Sequence, residues 1–396
     1  MPRPAHSHCD NSRTCSNDPG GVDEPERYNG LQVLRALAAL LVLVCHADHV
    51  AETSWPLLTE LSLGAGGAFG VDLFFVLSGF VVAMAAERPS RTAGRFLFDR
   101  ATRVLPPYLI LSLPFAALQV PSAALAVNSV LFLPLLDAPG RYTYTVHPYG
   151  WSLACEMWFY GVVACCVAAA PSGARIFALG AAACALVVAS FVWGSFSLVL
   201  AWTGSPLFLE FAAGALLFRF RALLSARVTA VALPAGTALA ALTVTGAPNL
   251  GGHTGFSIHG LPDAGADFGA ALVRAALWGL PAALLVASAV GAERAGFRHW
   301  PRALVALGDR SYSLYLVQPF AITVLAEVAW PHFLPAWAAL LALVLFMSWA
   351  SHRWIERPAT ERLRALLCAG PAGMDKAAAR AGPDPIPSPW LDRSLP

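Results

Sequence analysis

The sequence predicts an all-α membrane protein, a polytopic bundle of about ten transmembrane helices, and three observations carry that prediction. Hydrophobic residues make up 57% of the chain and charged residues 13%, and mean hydropathy is +0.60; soluble domains do not have this balance and multi-pass membrane proteins do. The apolar residues gather into runs of about 20, the length a helix needs to cross a bilayer. The arginines gather into alternate connections between those runs, as the positive-inside rule requires. The net charge of +2 decides nothing by itself. With its arginines in short loops, the chain offers no basic face for nucleic acid.

Taken in order, residues 1–29 are rich in Pro, Ser, Asn, Asp and Gly and hold no apolar core of a signal peptide. They read as a disordered cytoplasmic tail, with the first span serving as an uncleaved insertion signal. Spans follow at about 31–50, 67–86, 104–120, 150–170, 174–194, 198–219, 228–246, 270–291, 304–327 and 335–354. The stretch 121–136 is apolar but interrupted by Pro121, Asn128 and Pro134, and reads as an interfacial or re-entrant piece. The membrane domain thus covers 30–357, and 358–396 reads as a second cytoplasmic tail, mostly disordered.

Charge placement orients these spans. Arg88, Arg91, Arg95, Arg100 and Arg103 fall in 87–103; Arg219, Arg221 and Arg227, then Arg294, Arg298 and Arg302, fall in two later turns. The intervening connections 51–66, 195–197, 247–269 and 328–334 hold no Lys or Arg, and 121–149 holds Arg141 alone. The arginine-bearing side is therefore expected to be cytoplasmic, with both termini inside. Arg274, at the outer start of the eighth span, is the one dissenter. Of the eight cysteines, Cys45, Cys155, Cys165, Cys166 and Cys184 lie in apolar runs as small hydrophobes. Cys9 and Cys15 lie in a tail facing a reducing compartment. Neither a disulfide nor a metal site is expected.

Ionisable residues inside apolar spans are expensive and usually functional. Arg35 and His46 lie eleven residues apart on one face of the first span, roughly 16 Å along its axis. Asp72 and Glu156, from inward-running spans, fall at a depth comparable with His46. His46 is the candidate general base, and Asp72 or Glu156 the carboxylate that would fix its tautomer; the plainer reading is a histidine that only holds helices together. His49 reads as interfacial. Arg100 and Arg103 form an R-x-x-R pair ahead of Pro106-Pro107-Tyr108 and can grip one anion from neighbouring turns. They serve equally well as topology signals or contacts for lipid phosphate, the role expected of Arg88, Arg91 and Arg95. The segment Leu307–Phe320 brings Asp309, Arg310, Ser311, Tyr312, Ser313, Tyr315 and Gln318 to the membrane, a candidate cavity wall. Glu210 is a further intramembrane carboxylate with no assigned role, and Gly64–Gly70 reads as a close-packing helix start.

Arg35-x10-His46, GVDLFFVLSGF, Arg100-x-x-Arg103 before LPPY, WSLACEMWFY and LGDRSYSLYL occur in that order, and the set resembles the acyltransferase-3 family of integral membrane acyltransferases over about residues 30–357. The wording of GLQVLRALAALLVLVCHA and SYSLYLVQP is most similar to bacterial exopolysaccharide O-acetyltransferases. The resemblance implies transfer of an acyl group, usually acetyl, from acyl-coenzyme A (acetyl-CoA or another) to a hydroxyl of a glycan or lipid-linked saccharide, in the bacterial inner membrane. It implies His46 as the essential histidine and Arg35, Arg100 and Arg103 as the donor-binding arginines, with acyl-CoA as co-substrate and no other cofactor. Tyr312 and Tyr315 are expected on the donor path, and Asp72 and Glu156 beside the histidine. Relatives often carry His where this chain has Gln318, so no catalytic role is expected there.

From these residues one mechanism is expected: donor phosphates on Arg100 and Arg103, a pantetheine arm passing Arg35, and chemistry at His46, by general base or through an acyl-histidine. The acceptor is expected from outside, where 121–149 and 247–269 offer Tyr142, Tyr144, His147, His253 and His259. One rival is acylation of a small acceptor such as a macrolide sugar. A rival of another class is a proton-coupled transporter or flippase; that class commonly shows repeated halves, which this chain lacks.

Overall fold

The structure, a computed structural model, describes residues 27–51, 66–119, 122–132, 135–138, 141–143, 145–250, 268–326, 328 and 333–368. Among them, nine helices are long and apolar enough to cross a membrane. The first three are α1 (Asn29–Ala51), α2 (Phe69–Ala86) and α3 (Ala93–Gln119). The expected re-entrant stretch forms the short helix α4 (Ala123–Leu131) and then a small hairpin, β1 (Leu135–Ala138) with β2 (Arg141–Thr143). Helices α5 (Gly150–Ala169) and α6 (Arg175–Trp193) follow. Next come α7 (Leu198–Thr203), α8 (Phe208–Arg219), α9 (Ala226–Leu250) and α10 (Phe268–Arg294). The chain continues through α11 (Arg302–Asp309), α12 (Ser311–Ala326) and α13 (Phe333–Ser351), a π-helical turn His352–Glu356, and α14 (Arg357–Cys368).

Two expected spans are interrupted. The span at 198–219 breaks at Gly204–Leu207, where Pro206 cannot continue the ladder. Gly204 there lies against the backbone of α6: a Cβ on it would stand 2.1 Å from Leu186 O. The span expected at 304–327 is two helices, α11 and α12, hinged at Arg310. Gly308 explains the position of that hinge, because a Cβ on it would fall 1.9 Å from Gln32 O of α1. The third span differs too, since its helix begins at Ala93 and carries Arg100 and Arg103 two turns inside it.

Helix α2 is the axis of the bundle, with 78% of its span buried, against 28% for α6 and 22% for α9. It packs on α8, α1, α10 and α5. Small residues permit the closest approach, as membrane packing favours. Gly67 and Gly70 meet the α1 backbone at Leu41 and Ala38, and Gly79 meets Phe211 O of α8. Phe75, Phe211 and Phe159 stack at 4.5 and 4.3 Å between centroids and join α2, α8 and α5. The rim helices turn Leu118, Phe191, Val231 and Phe346 outward, as a lipid-facing surface requires.

Arg274 is no exception to the charge rule. It is buried, with both amino groups on the carboxylate of Asp72 (2.8 and 3.2 Å) and its guanidinium 4.5 Å above the Trp278 ring. Neutralised inside the bundle, it is a packing partner rather than a topology signal.

Candidate active site

A cavity of about 860 Å³, its open mouth included, runs beside α2 and is walled by α1, α3, α5 and α12. Its α2 wall extends from Val71 to Val82, a rise of roughly 16 Å along the helix. Around it stand Arg35, Arg100, Arg103, Glu156, Tyr312 and Tyr315, six of the eight residues singled out from sequence. Most of the remaining lining is apolar, including Phe74, Phe75, Leu77 and Leu153.

Each polar group is placed by local structure. Arg100 and Arg103 occupy successive turns of α3. Just beyond them Pro106 and Pro107 remove two backbone donors from the helix, and in that turn the Tyr312 hydroxyl donates to Val104 O at 2.7 Å. Arg35 donates through Nε to Ser311 Oγ at 3.0 Å, which ties α1 to the hinge ahead of α12. Glu156 accepts from Ser78 Oγ at 2.6 Å and from Tyr160, one turn further along α5. Among the described residues Arg100 and Arg103 have no carboxylate within ion-pairing distance, and the buried Arg100 Nε has no hydrogen-bond acceptor. By contrast Arg91 and Arg95 both pair with Asp99, at 2.8 and 3.4 Å. Three guanidinium groups therefore share the cavity with one carboxylate. A partly desolvated cationic surface of this kind favours a polyanion, and the spacing of Arg100 and Arg103 suits phosphate.

Behind this wall Ser313 Oγ donates to Glu356 Oε2 at 2.5 Å, and His352 Nδ1 lies 3.0 Å from the same oxygen. The π-helical turn that carries Glu356 brings its charge within electrostatic reach of Arg35 and Arg103. Such turns recur at functional sites.

The two remaining sequence candidates lie off the cavity. Asp72 shares the α2 face of Gly79, seven residues on, which is turned to α8 and α10. Helix α1 meets the other face, at Gly67 and Gly70. His46 stands beyond the deep end of the cavity. Its Nδ1 is 2.9 Å from Val42 O, and its ring stacks on Tyr149 at 3.8 Å between centroids and 20° between planes. A carbonyl only accepts, so Nδ1 carries the proton and Nε2 the basic lone pair. Glu156 stands with the arginines, facing the middle of α2 at Ser78.

Tyr149 precedes α5 in the turn Thr145–Tyr149. The neighbouring His147, expected among loop residues open to a sugar, is fully buried. Its Nε2 donates to Leu316 O at 3.0 Å and its Nδ1 accepts from Tyr149 N at 3.2 Å. Burial pushes its imidazole down to about 4, so it is a neutral structural group. The side chains of Tyr142 and Tyr144, and His253 and His259 entirely, lie outside the described residues.

Ser78, Tyr160, Ser152 and Tyr149 join the site without being expected from sequence. Tyr160 is within reach of a sequence argument, since it stands four residues after Glu156 on one helix face. The others carry no distinguishing signal. Gln318 donates to Ala39 O at 2.9 Å and joins α12 to α1 between Arg35 and His46.

Comparison with known proteins gives the family. The family described as acyltransferase domain matches residues 28–353. The chain is 33% identical over 319 residues to the exopolysaccharide production protein ExoZ of Rhizobium meliloti (strain 1021), covering 78% of this chain and 94% of that protein. No solved structure matches the chain. With so much of its length inside the match, the chain belongs to the acyltransferase-3 family and is a multi-pass membrane acyltransferase.

Proposed function

We propose that this protein is an O-acyltransferase that moves an acyl group, in the simplest case acetyl, from acyl-CoA to a hydroxyl of an exported or surface polysaccharide. The observation that carries the reading is the pair Arg100 and Arg103, one turn apart, without carboxylate partners among the described residues and facing an apolar-walled cavity shared with Arg35. The phosphates of coenzyme A occupy that cationic end, and the pantetheine arm follows α2 toward Phe74 and Tyr315. The arm places the thioester at the deep end, near His46. The relative's name, an exopolysaccharide production protein, supports the polymeric acceptor, and the arginine-bearing connections support a donor arriving from the cytoplasm of a bacterium across its inner membrane.

In this reading His46 Nε2 takes the proton of the acceptor hydroxyl as its oxygen attacks the thioester carbonyl. A C–O bond forms and the C–S bond breaks. The proton passes from the imidazolium to the leaving thiolate, giving the ester and free CoA thiol with no net proton change. Glu156 balances the arginine cluster, and Asp72, paired with Arg274 on the other face of α2, holds the helices in place.

Proteoliposomes of both orientations test the proposal. Labelled acetyl-CoA is expected to be consumed only from the arginine-bearing face, with acetylated polysaccharide on the opposite face, and His46→Ala is expected to abolish transfer while inserting normally. Acetylation of an impermeant acceptor sealed with the CoA on one side, or turnover by His46→Ala above a few per cent of wild type, overturns it.

A further inference from the structure

Coenzyme A carries a ribose 3′-phosphate besides its diphosphate, and the cavity provides for the diphosphate alone. With that group on Arg100 and Arg103 and the pantetheine arm running inward along α2, the adenosine end stays outside the cationic end of the cavity. The element packed beside that end of α3 is α14. The π-helical turn His352–Glu356 joins it to α13, and α14 packs on both that turn and α3. Two contacts fix its position. Glu356, the last residue of the turn, lies within electrostatic reach of Arg103. About two turns further on, Arg364 Nε stands 3.5 Å from Thr102 Oγ1. Thr102 is buried at 2% exposure and gives its hydroxyl proton to Phe98 O at 2.9 Å, so it meets Arg364 as an acceptor. It immediately precedes Arg103 in α3, about 100° round the helix. The Arg364 guanidinium is thus held at the depth of the donor arginines and on their flank.

We propose that Arg364 of α14 holds the ribose 3′-phosphate of the acyl-CoA donor, extending the site of Arg100 and Arg103 beyond the cavity. The inference rests on the reading of the cavity as a donor site. Arg364 is exposed, and among the described residues no carboxylate lies within ion-pairing distance of it. Its contact to Thr102 runs through Nε, which leaves both amino groups without an acceptor among the described residues. A guanidinium anchored by one nitrogen with its fork unused suits phosphate. The other arginines of α14 are placed differently. Arg362, two residues back, lies on the opposite face, whereas Arg357, seven residues back, shares the face of Arg364. Glu361 stands between Arg357 and Arg364 on that face, outside ion-pairing distance of both. Because the 3′-phosphate is tethered to the diphosphate, a contact with it adds to donor affinity as a linked second site does. A lipid phosphate held there instead would add nothing to that affinity.

Isothermal titration into the full-length detergent-solubilised protein compares acetyl-CoA with 3′-dephospho-acetyl-CoA. Wild type is expected to bind acetyl-CoA about 10-fold more tightly than the dephospho compound. Arg364→Ala is expected to bring that ratio within about twofold, with the Kd for 3′-dephospho-acetyl-CoA unchanged. Arg362→Ala, which removes the same charge from the opposite face, is expected to keep the wild-type ratio. A wild-type ratio below about twofold overturns the inference. So does a ratio that survives in Arg364→Ala, which leaves that arginine to lipid phosphate. Equal weakening of both compounds by Arg364→Ala overturns it as well and marks a packing role for α14 on α3. A ratio lost equally in Arg362→Ala overturns it in favour of diffuse charge. If Arg364→Ala does not fold, Arg364→Gln carries the same test, because it keeps a donor for Thr102 without the charge. Arg100→Ala with Arg103→Ala keeps the two claims apart. If wild type binds neither compound, or that pair leaves both affinities unchanged, the donor site itself is refuted. If the pair weakens both compounds while the ratio survives in Arg364→Ala, the role of Arg364 alone is refuted.

Discussion

Replacing both arginines of the cationic end, Arg100→Ala with Arg103→Ala, tests the donor site most directly. Each guanidinium is expected to hold phosphate through a charge-assisted hydrogen bond worth about 1.5–3 kcal/mol. Removing both weakens binding by about 3–6 kcal/mol, and at about 1.4 kcal/mol per tenfold the lower figure is already roughly 100-fold in Kd. The protein's own stability is expected to move little, because neither group has a carboxylate partner among the described residues and Arg100 Nε is buried without an acceptor. Its guanidinium lies 5.9 Å above the Phe96 ring. The control is Arg88→Ala with Arg95→Ala, two exposed residues of which Arg95 pairs with Asp99 and lies over the Phe98 ring. Isothermal titration of acetyl-CoA into detergent-solubilised protein reads both. A Kd raised about 100-fold or more for the first pair and changed less than twofold for the second is the expected outcome. A change below threefold for the first pair refutes the donor site, and equal effects for both pairs mean that only bulk positive charge matters.

Three further outcomes follow from the packing. His147 titrates near 4 in the folded protein against about 6.5 unfolded, so the unfolded chain binds the extra proton. The resulting stability is full above pH 6.5 and is lost as pH falls toward 4, on the order of 3 kcal/mol. His147→Gln can keep both hydrogen bonds without titrating, and thermal melts of the two proteins between pH 7 and 4.5 should diverge; parallel melts refute the assignment. Asp72→Asn takes away the carboxylate that both Arg274 amino groups hold, leaving Glu210 of α8 within electrostatic reach of the buried guanidinium, and is expected to cost up to about 3–5 kcal/mol. Asp72→Asn with Arg274→Met should recover most of that in thermal melts, and a double variant no more stable than the single one refutes the pairing. Gly79→Ala puts a Cβ 2.0 Å from Phe211 O, whereas Gly161 has open space. The first is therefore expected to lower the melting temperature by several degrees and Gly161→Ala to leave it unchanged; equal melts would mean that α2 and α8 are less closely packed.

The sequence by itself determined where the helices are and which end of the bundle is cationic. Apolar length sets the spans because an unsatisfied backbone cannot sit in lipid, and arginine spacing sets Arg35, Arg100 and Arg103 at one end without any knowledge of tertiary neighbours. Pro106, Pro107 and Pro206 are visible as perturbations of their helices. Only the tertiary structure decided which way the helices face. A soluble helix announces its inward face by amphipathicity, but in a bilayer both faces are apolar and that signal is lost. Asp72 and His46 therefore look like neighbours by depth, yet a helix rotation no sequence period reports gives Asp72 to Arg274, 202 residues away. Rotation likewise sets Glu156 among the arginines and buries His147 beneath α12. The hinge at Arg310 needs the α1 backbone against Gly308, and Tyr149, stacked on His46, accepts a hydrogen bond from Tyr315, 166 residues on. Pairings across such distances depend on how whole helices pack, and no local pattern of residues encodes them.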